Sequence, residues 1–379
     1  MRQRDALGLP RSQRLSFSGQ LAELVKDDLT EDGVVLSIGG AEQSHVELGD
    51  PDYLLHDYLF RMGTVLQTCA RERLGGAPAA GISSAATGAP RVLHLGAGAL
   101  TLPRFIEHHW PAVEQTVVDI EPELVEFVLA HLPMRRSPRN LVADAAAVLG
   151  PGGALEGVSF DVVVVDLFNS AAAPEHLRSP EFHRAVLEQV VPGGLLLVNL
   201  GDEPPMDFVR AQVVSLLDAA ATLIPDASAI PDASGTPGAS STPGAEQAAR
   251  CAMLSAPSDV LEARAEGNLS FAARVVRRWR RPSSTRSGPR ARTPATCSVR
   301  KSCFSGLDHE DLRAAVGLLA EDLESLRQGG RAAAGVALDH HGGRLMQLLP
   351  RGAQHLEQLG VSEAVGRVQE EQLDGWTAA

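Results

Sequence analysis

Acids and a glycine turn, spaced as a nucleoside site requires, are the chemical core of this chain. Val92-Leu93-His94-Leu95-Gly96-Ala97-Gly98 reads as an apolar strand entering a Gly-x-Gly turn, and Thr116-Val117-Val118-Asp119 as a second strand ending in an acid. Phe160 to Asp166 repeats the strand-then-acid pattern. Because glycine has no Cβ, such a turn lets a nucleoside come close to backbone amides, so Gly96 and Gly98 are the candidate contacts. A carboxylate closing the next strand can accept from both ribose hydroxyls, which fits Asp119. Asp166 ends a strand at the crevice where open α/β sheets bind ligands, and Asp144 precedes a helix that it could equally cap. A nicotinamide dehydrogenase is not expected, because Thr101 occupies the place of the third glycine and no second mononucleotide half is visible.

The elements that must position these residues follow from periodicity. From 91 onward strands and helices alternate: strand 91–95, helix 101–109, strand 116–119, helix 122–131, strand 140–142, helix 144–149, strand 161–165, helix 180–190, strand 195–199 and helix 207–221. Nearly continuous apolar strands between helices predict a parallel sheet covered on both faces. Pro192-Gly193-Gly194 reads as a tight helix-to-strand turn, and 250–255 and 268–273 as two last strands pairing antiparallel at an edge. Upstream, residues 1 to about 30 begin polar and irregular, 21–25 form a short helix or strand, and 34–38 and 45–48 give a small β element. A helix over 53–71 follows, with Leu54, Tyr58, Leu59, Met62, Val65 and Leu66 at helical spacing.

Four segments result: a β element and helix (1–90), a nucleoside-binding domain (91–275), a basic low-complexity linker (276–306) and a helical appendage (307–379). The domain carries a Pro/Ser/Gly-rich insertion at 225–247 that lacks the apolar surface to offset ordering entropy. Residues 274–301 hold ten basic residues and no acid, which leaves −23 on the rest of a chain whose net charge is −13. An acidic body attracts cationic small molecules and argues against nucleic acid. For 279–306 three readings stay open: a basic tail, a solvated linker, or a frameshifted stretch. Hydrophobic residues at 44% suffice for a core; the absence of long apolar runs and of a leader pattern predicts a cytoplasmic protein without membrane contact. Cys69, Cys251, Cys297 and Cys303 are too scattered for a disulfide framework or zinc pair, and His45, His56, His176 and His183 show no ligand spacing. No metal is expected.

Gly40-Ala41-Glu42-Gln43-Ser44-His45-Val46, followed by Val92 to Gly98, Val118-Asp119, Ala143-Asp144 and Val165-Asp166, resembles spermidine synthase, in particular the spermidine-synthase-like proteins of actinobacteria, over about residues 30–275. The resemblance implies a Rossmann-like α/β fold: a seven-stranded sheet of class I methyltransferase type with a small N-terminal β element, to which the C-terminal helical appendage is added. It implies Asp119 on the donor ribose, Asp144 on the adenine amino group, Gln43 near the donor, Tyr58 in the substrate pocket, and Asp166 as the acid that orients and deprotonates an acceptor amine. The co-substrate would be decarboxylated S-adenosylmethionine or S-adenosylmethionine, the acceptor a small amine such as putrescine, and a homodimer is left open.

Two departures bear on this. The family's Gly-Gly-Gly-Asp-Gly-Gly turn is here Gly96-Ala97-Gly98-Ala99-Leu100-Thr101, and its Asp-x-x-Asp is here Asp166-Leu167-Phe168-Asn169; the resemblance implies that Asn169 would face the substrate. Each lost charge-assisted bond to an aminopropyl ammonium is worth about 1.5–3 kcal/mol, so the pair could cost roughly two to four powers of ten in affinity. The readings are an aminopropyltransferase, an S-adenosylmethionine-dependent methyltransferase, whose intact donor carries a carboxylate that those acids would repel, and a non-catalytic adenosine-binding homologue.

Overall fold

A computed structural model describes residues 6–75, 88–168, 173–224, 248 and 251–275, all within Met1–Gly306. The insertion 225–247, the basic linker 276–306, the C-terminal segment 307–379 and Asn169 lie outside the described residues.

The N-terminal β element is a four-stranded antiparallel sheet, β1 (Arg11–Arg14), β2 (Leu21–Lys26), β3 (Gly33–Ile38) and β4 (Ala41–Glu47), in sequential order. Strand β1 sits in the stretch expected to be irregular. Its polar sequence has no apolar alternation; it forms because it pairs with β2 as a charged edge strand, with fully buried Leu15 beside it. Between β3 and β4 the register jumps from Leu36↔Ser44 to Ser37↔Glu42, so Gln43 is the extra residue of a bulge.

Asp50 to Tyr53 form a turn, with Tyr53 N donating to Asp50 O, and the helix α1 begins only at Asp57 (Asp57–Val65). It widens into a π-helical turn over Leu66–Ala70 before α2 (Arg71–Leu74). Thr64 and Thr68 hydroxyls donate to the carbonyls four residues back, Phe60 and Thr64, a bonding pattern that loosens helical turns.

The main sheet alternates as the pattern predicts: β5 (Arg91–Leu95), α3 (Thr101–His109), β6 (Glu114–Asp119), α4 (Leu124–His131), β7 (Arg139–Val142), α5 (Ala145–Leu149), β8 (Phe160–Phe168), α6 (Pro180–Gln189), β9 (Val190–Asp202), α7 (Asp207–Leu223), β10 (Ala252–Ser255) and β11 (Gly267–Arg274). Its spatial order is β10-β11-β9-β8-β5-β6-β7, parallel from β9 to β7, with β11 antiparallel to both its neighbours. The chain moves outward from β5 through β6 to β7, then returns to β8 on the other side, which makes β5/β8 the topological switch point. Pro192-Gly193-Gly194 is not a turn before the strand. It lies inside β9, where Gly193 at φ +74° donates to Val275 O and Val275 N donates back to Gly194 O.

Two apolar clusters flank the site. One joins α1, the π turn and α3 to Val92, Val162, Val164, Leu195 and Leu197 of the sheet. The other joins the N-terminal sheet (Leu24, Val34, Leu36, Val46) to the glycine turn (Ala97, Ala99, Leu100) and to α4. The N-terminal sheet therefore packs on the turn.

His94 and His183 are each 2% exposed, and burial lowers both to about 4, against the hydrogen bond of His94 with Gln115 and the neighbouring Gln212 side chain of His183, which act upward. Between the ordinary histidine value near 6.5 and about 4 the unfolded chain takes up protons that the folded chain refuses, so stability is retained at neutral pH and falls with acidification. Urea unfolding at pH 7.5 and pH 5 should show a drop on the order of 1–2 kcal/mol per histidine, and the dependence should be flatter in H183L.

Candidate functional site

The crevice at the carboxyl ends of the parallel strands is built first by backbone. Gly96 N donates to Val118 O at 2.9 Å, continuing the ladder, and the chain then turns with Gly96 at φ +98° and Gly98 at φ +49°. A Cβ on Gly96 would lie 2.4 Å from Asp166 O, and one on Gly98 would lie 2.3 Å from Ser44 Oγ. Glycine at both positions is thus a packing requirement of the switch point as well as a conformational one. Ala97 N donates to Asp119 Oδ2 (2.9 Å) and Ala99 N to Ser44 Oγ (3.1 Å), while Thr101 Oγ1 donates to His45 O (2.8 Å). Strand β4 and Asp119 grip the turn from two sides.

Asp119 Oδ1 also accepts from Glu121 N (2.9 Å), which leaves each carboxylate oxygen a lone pair for a further donor. Burial pushes this carboxyl upward, with the Glu121 charge acting the same way, against the Glu121 and Ala97 amides. Glu121 is itself buried and accepts from Phe17 N and Ser18 N, which ties the β1–β2 turn to the loop after β6. At the end of β7, Asp144 does both things open to it. Oδ1 caps α5 by accepting from Ala146 N and Ala147 N, and Oδ2 lies 2.8 Å from His176 Nε2. Burial pushes Asp144 up, but the His176 bond and the two amides outweigh it and the net direction is down. Among the described residues Ile120 and Val142 are two of the few large apolar side chains left exposed, and they adjoin the ends of β6 and β7. An apolar surface between two acids suits a nucleobase.

Asp166 receives two side-chain donors, Asn199 Nδ2 on Oδ1 (2.8 Å) and Tyr58 OH on Oδ2 (3.1 Å). Burial raises the Asp166 carboxyl, with the Asn199 and Tyr58 bonds and the charge of His56 opposing. Burial also pushes the Tyr58 phenol well above its ordinary value, reinforced by the Asp166 charge, so it remains a donor. His56 stacks on Tyr58 (6.0 Å between centroids, 23° between planes), and its Nε2 lies 3.6 Å from Glu42 Oε1. Asn199 is 1% exposed, and its Oδ1 has no hydrogen-bond partner.

The structure thus brings together Gly96, Gly98, Asp119, Asp166 and Tyr58; the residues between β4 and α1 absorb the long spacing that separates Gln43 from Tyr58. Gln43 is half-buried, beside Ser44 on the turn, and its bulge directs it independently of the strand alternation. Asp144 stands two strands from the turn, engaged with α5 and His176. Asn199 and His56 were missed as site residues: an asparagine late in an apolar run and a histidine in a loop carry no motif. Three strand spacings separate β8 from β7, about 14 Å, the length of an extended nucleoside with a short tail. A separate cavity of about 400 Å³, lined by Arg91, Gln115, Arg139 and Phe160 among others, lies at the opposite, amino-terminal ends of the strands and holds none of these acids.

No protein-family model matches the chain. A polyamine aminopropyltransferase of Vibrio vulnificus is 26% identical over 111 residues, 29% of this chain and 37% of that protein. A probable polyamine aminopropyl transferase of Bifidobacterium longum is 27% identical over 115 residues, 30% of this chain and 25% of that one. The matched stretch spans well under half the length of either relative. A probable spermidine synthase of Corynebacterium glutamicum superposes with a TM-score of 0.51 over 70% of this chain and 80% of its own, at 23% identity. Strand order and neighbours together define a class I methyltransferase-type fold. The matched stretches are similar in sequence to those two aminopropyltransferases, and the fold is similar to that of the Corynebacterium protein. Among the described residues no helix is long and apolar enough to cross a membrane, and Cys69 is a free thiol.

Substituting Gly96 by Ala should cost about 1–3 kcal/mol through φ alone and more through displacement of the Asp166 carbonyl. Thermal unfolding and titration with methylthioadenosine would check it, with a lower midpoint and lost binding as the expected outcome.

Proposed function

We propose that this protein is an aminopropyltransferase-like enzyme that moves a group from an S-adenosyl-type sulfonium donor to a small amine. The observation that carries the reading is the half-buried Asp166 carboxylate, held by Tyr58 and Asn199 at the switch point beside the glycine turn. The activities for which its relatives are named and the acidic body of the chain support it. In this reading the donor lies along the strand ends, adenine toward Asp144, Ile120 and Val142, ribose on Asp119, and sulfonium near Gly96 and Gly98. An ammonium has no lone pair with which to attack. Asp166 would accept the proton of the acceptor amine, whose nitrogen then attacks the carbon next to sulfur. The N–C bond forms as the C–S bond breaks, its electron pair passes to sulfur, and methylthioadenosine leaves. Neutral donors on both carboxylate oxygens orient the base without cancelling its charge.

One observation favours a second reading, methyl transfer from intact S-adenosylmethionine. Ala99, in the place of the family acid, is 0% exposed in the cluster formed with the N-terminal sheet. No carboxylate at that position would meet an aminopropyl ammonium, and an intact donor's carboxylate would meet no repulsion there. Calorimetric titration with decarboxylated S-adenosylmethionine, S-adenosylmethionine and methylthioadenosine separates the readings. Tighter binding of the decarboxylated donor is the expected result; preference for the intact donor would transfer the assignment to a methyltransferase, and binding of none would leave a non-catalytic homologue.

Since a base acts only when deprotonated, the raised Asp166 places the acidic limb of the rate profile at higher pH than an ordinary carboxylate would. The Tyr58 and Asn199 bonds act downward on Asp166. Y58F and N199L should therefore each move that limb to still higher pH, and D166N should reduce turnover by about 10²–10⁴.

A further inference from the structure

Asp52, His108 and His109 converge at a point remote in sequence and outside the crevice. One ligand-type atom from each residue lies within 4.8 Å of the other two. His109 Nε2 is 2.5 Å from Asp52 Oδ1, and His108 Nε2 is 3.9 Å from Asp52 Oδ2. Consecutive residues on a helix point about 100° apart, yet both imidazoles reach one carboxylate, their rings 5.1 Å apart with planes at 82°. Asp52 is itself placed by the turn after Asp50, whose Oδ1 accepts from Asp52 N (3.2 Å). The Gln67 amide nitrogen is 3.2 Å from His109 Nε2, so a carboxylate and an amide address one nitrogen that has either a proton or a lone pair to offer.

We propose that Asp52, His108 and His109 bind one divalent first-row transition-metal ion, Zn²⁺ being the representative, which fastens the segment between β4 and α1 to the end of α3. Two imidazole nitrogens and one carboxylate oxygen suit Zn²⁺, Co²⁺ or Ni²⁺ rather than Mg²⁺ or Ca²⁺, which take oxygen ligands. Metal–ligand bonds of about 2.0–2.2 Å in a tetrahedron put ligand atoms about 3.3 Å apart. The 2.5 and 3.9 Å separations bracket that value. Carbonyls at the carboxyl end of α3 add a partial negative charge that favours a cation. The histidines are the last two residues of α3, a helix that starts at the glycine turn, while Asp52 lies just before His56 and Tyr58. An ion here would couple the wall carrying Tyr58 to the helix that follows the nucleoside turn.

All three side chains are partly exposed, so alanine variants should fold, which circular dichroism would verify. Calorimetric titration of the full chain with Zn²⁺, and separately with Mg²⁺, should show one Zn²⁺ site in the micromolar range with no matching Mg²⁺ uptake. H109A and D52A should each weaken it at least about tenfold, and the H108A/H109A double variant should abolish it. Because the chain also contains the adjacent pair His340-His341, an H340A/H341A variant should bind as the parent does. Zn²⁺ should raise the thermal midpoint of the parent and leave the H108A/H109A midpoint unchanged. Undiminished binding by the H108A/H109A variant, loss of binding in H340A/H341A, no Zn²⁺ uptake by the parent, or uptake without a change in midpoint would each overturn the proposal.

Discussion

The Asp166 carbonyl lies where a side chain on Gly96 would be, and the crevice depends on that contact. It brings the ends of β5 and β8 together at the switch point, so that the base candidate and the nucleoside turn share one edge of the sheet. The same turn is fixed from its other sides by the Asp119 carboxylate on Ala97 N and by Ser44 Oγ on Ala99 N. Backbone amides held in this way need not reorganise when a polar ligand arrives. Glycine's freedom at positive φ is what allows the close approach.

Electrostatics follows from that geometry. Asp166, Asp119 and the Tyr58 phenol are all shifted upward chiefly by burial. The donors on Asp166 are neutral, so its charge remains for a cation that enters the crevice. A phenol and an amide hold its two oxygens while Asn199 Oδ1 is left as a buried acceptor without a partner. Buried polar atoms are normally satisfied, and this one adjoins the carboxylate that an amine would approach.

The N-terminal sheet has a larger role than its size suggests. Its apolar residues cover Ala97, Ala99 and Leu100, its β4 supplies Ser44, and its first turn is bound through Glu121 to the loop beyond Asp119. Ala99 is therefore enclosed in apolar packing, where an ionised carboxylate would be strongly disfavoured.

The βα alternation, the glycine turn, the acid closing β6 and the antiparallel edge pair were legible in the chain because each is written in contiguous residues: period-two or continuous apolar runs, capping residues and turn glycines; Asp166 was expected to end its strand, but β8 runs on to Phe168 with a register irregularity after Val165. Asp119 and Asp166 follow from such runs, and so does the cap role of Asp144. Partnerships were not legible. Strand β1 exists only by pairing with β2, and the widening of α1 depends on where threonine hydroxyls bond. Asn199 reaches Asp166 across neighbouring strands, Tyr58 reaches it over 108 residues, and Asp52 meets His109 over 57. Sequence by itself determined most of the strands and helices of the main sheet, because local backbone preference and apolar periodicity act over a few residues. Only the tertiary structure decided which side chains share a proton or a charge, because hydrogen bonds and Coulomb forces act between atoms adjacent in space whatever their separation along the chain.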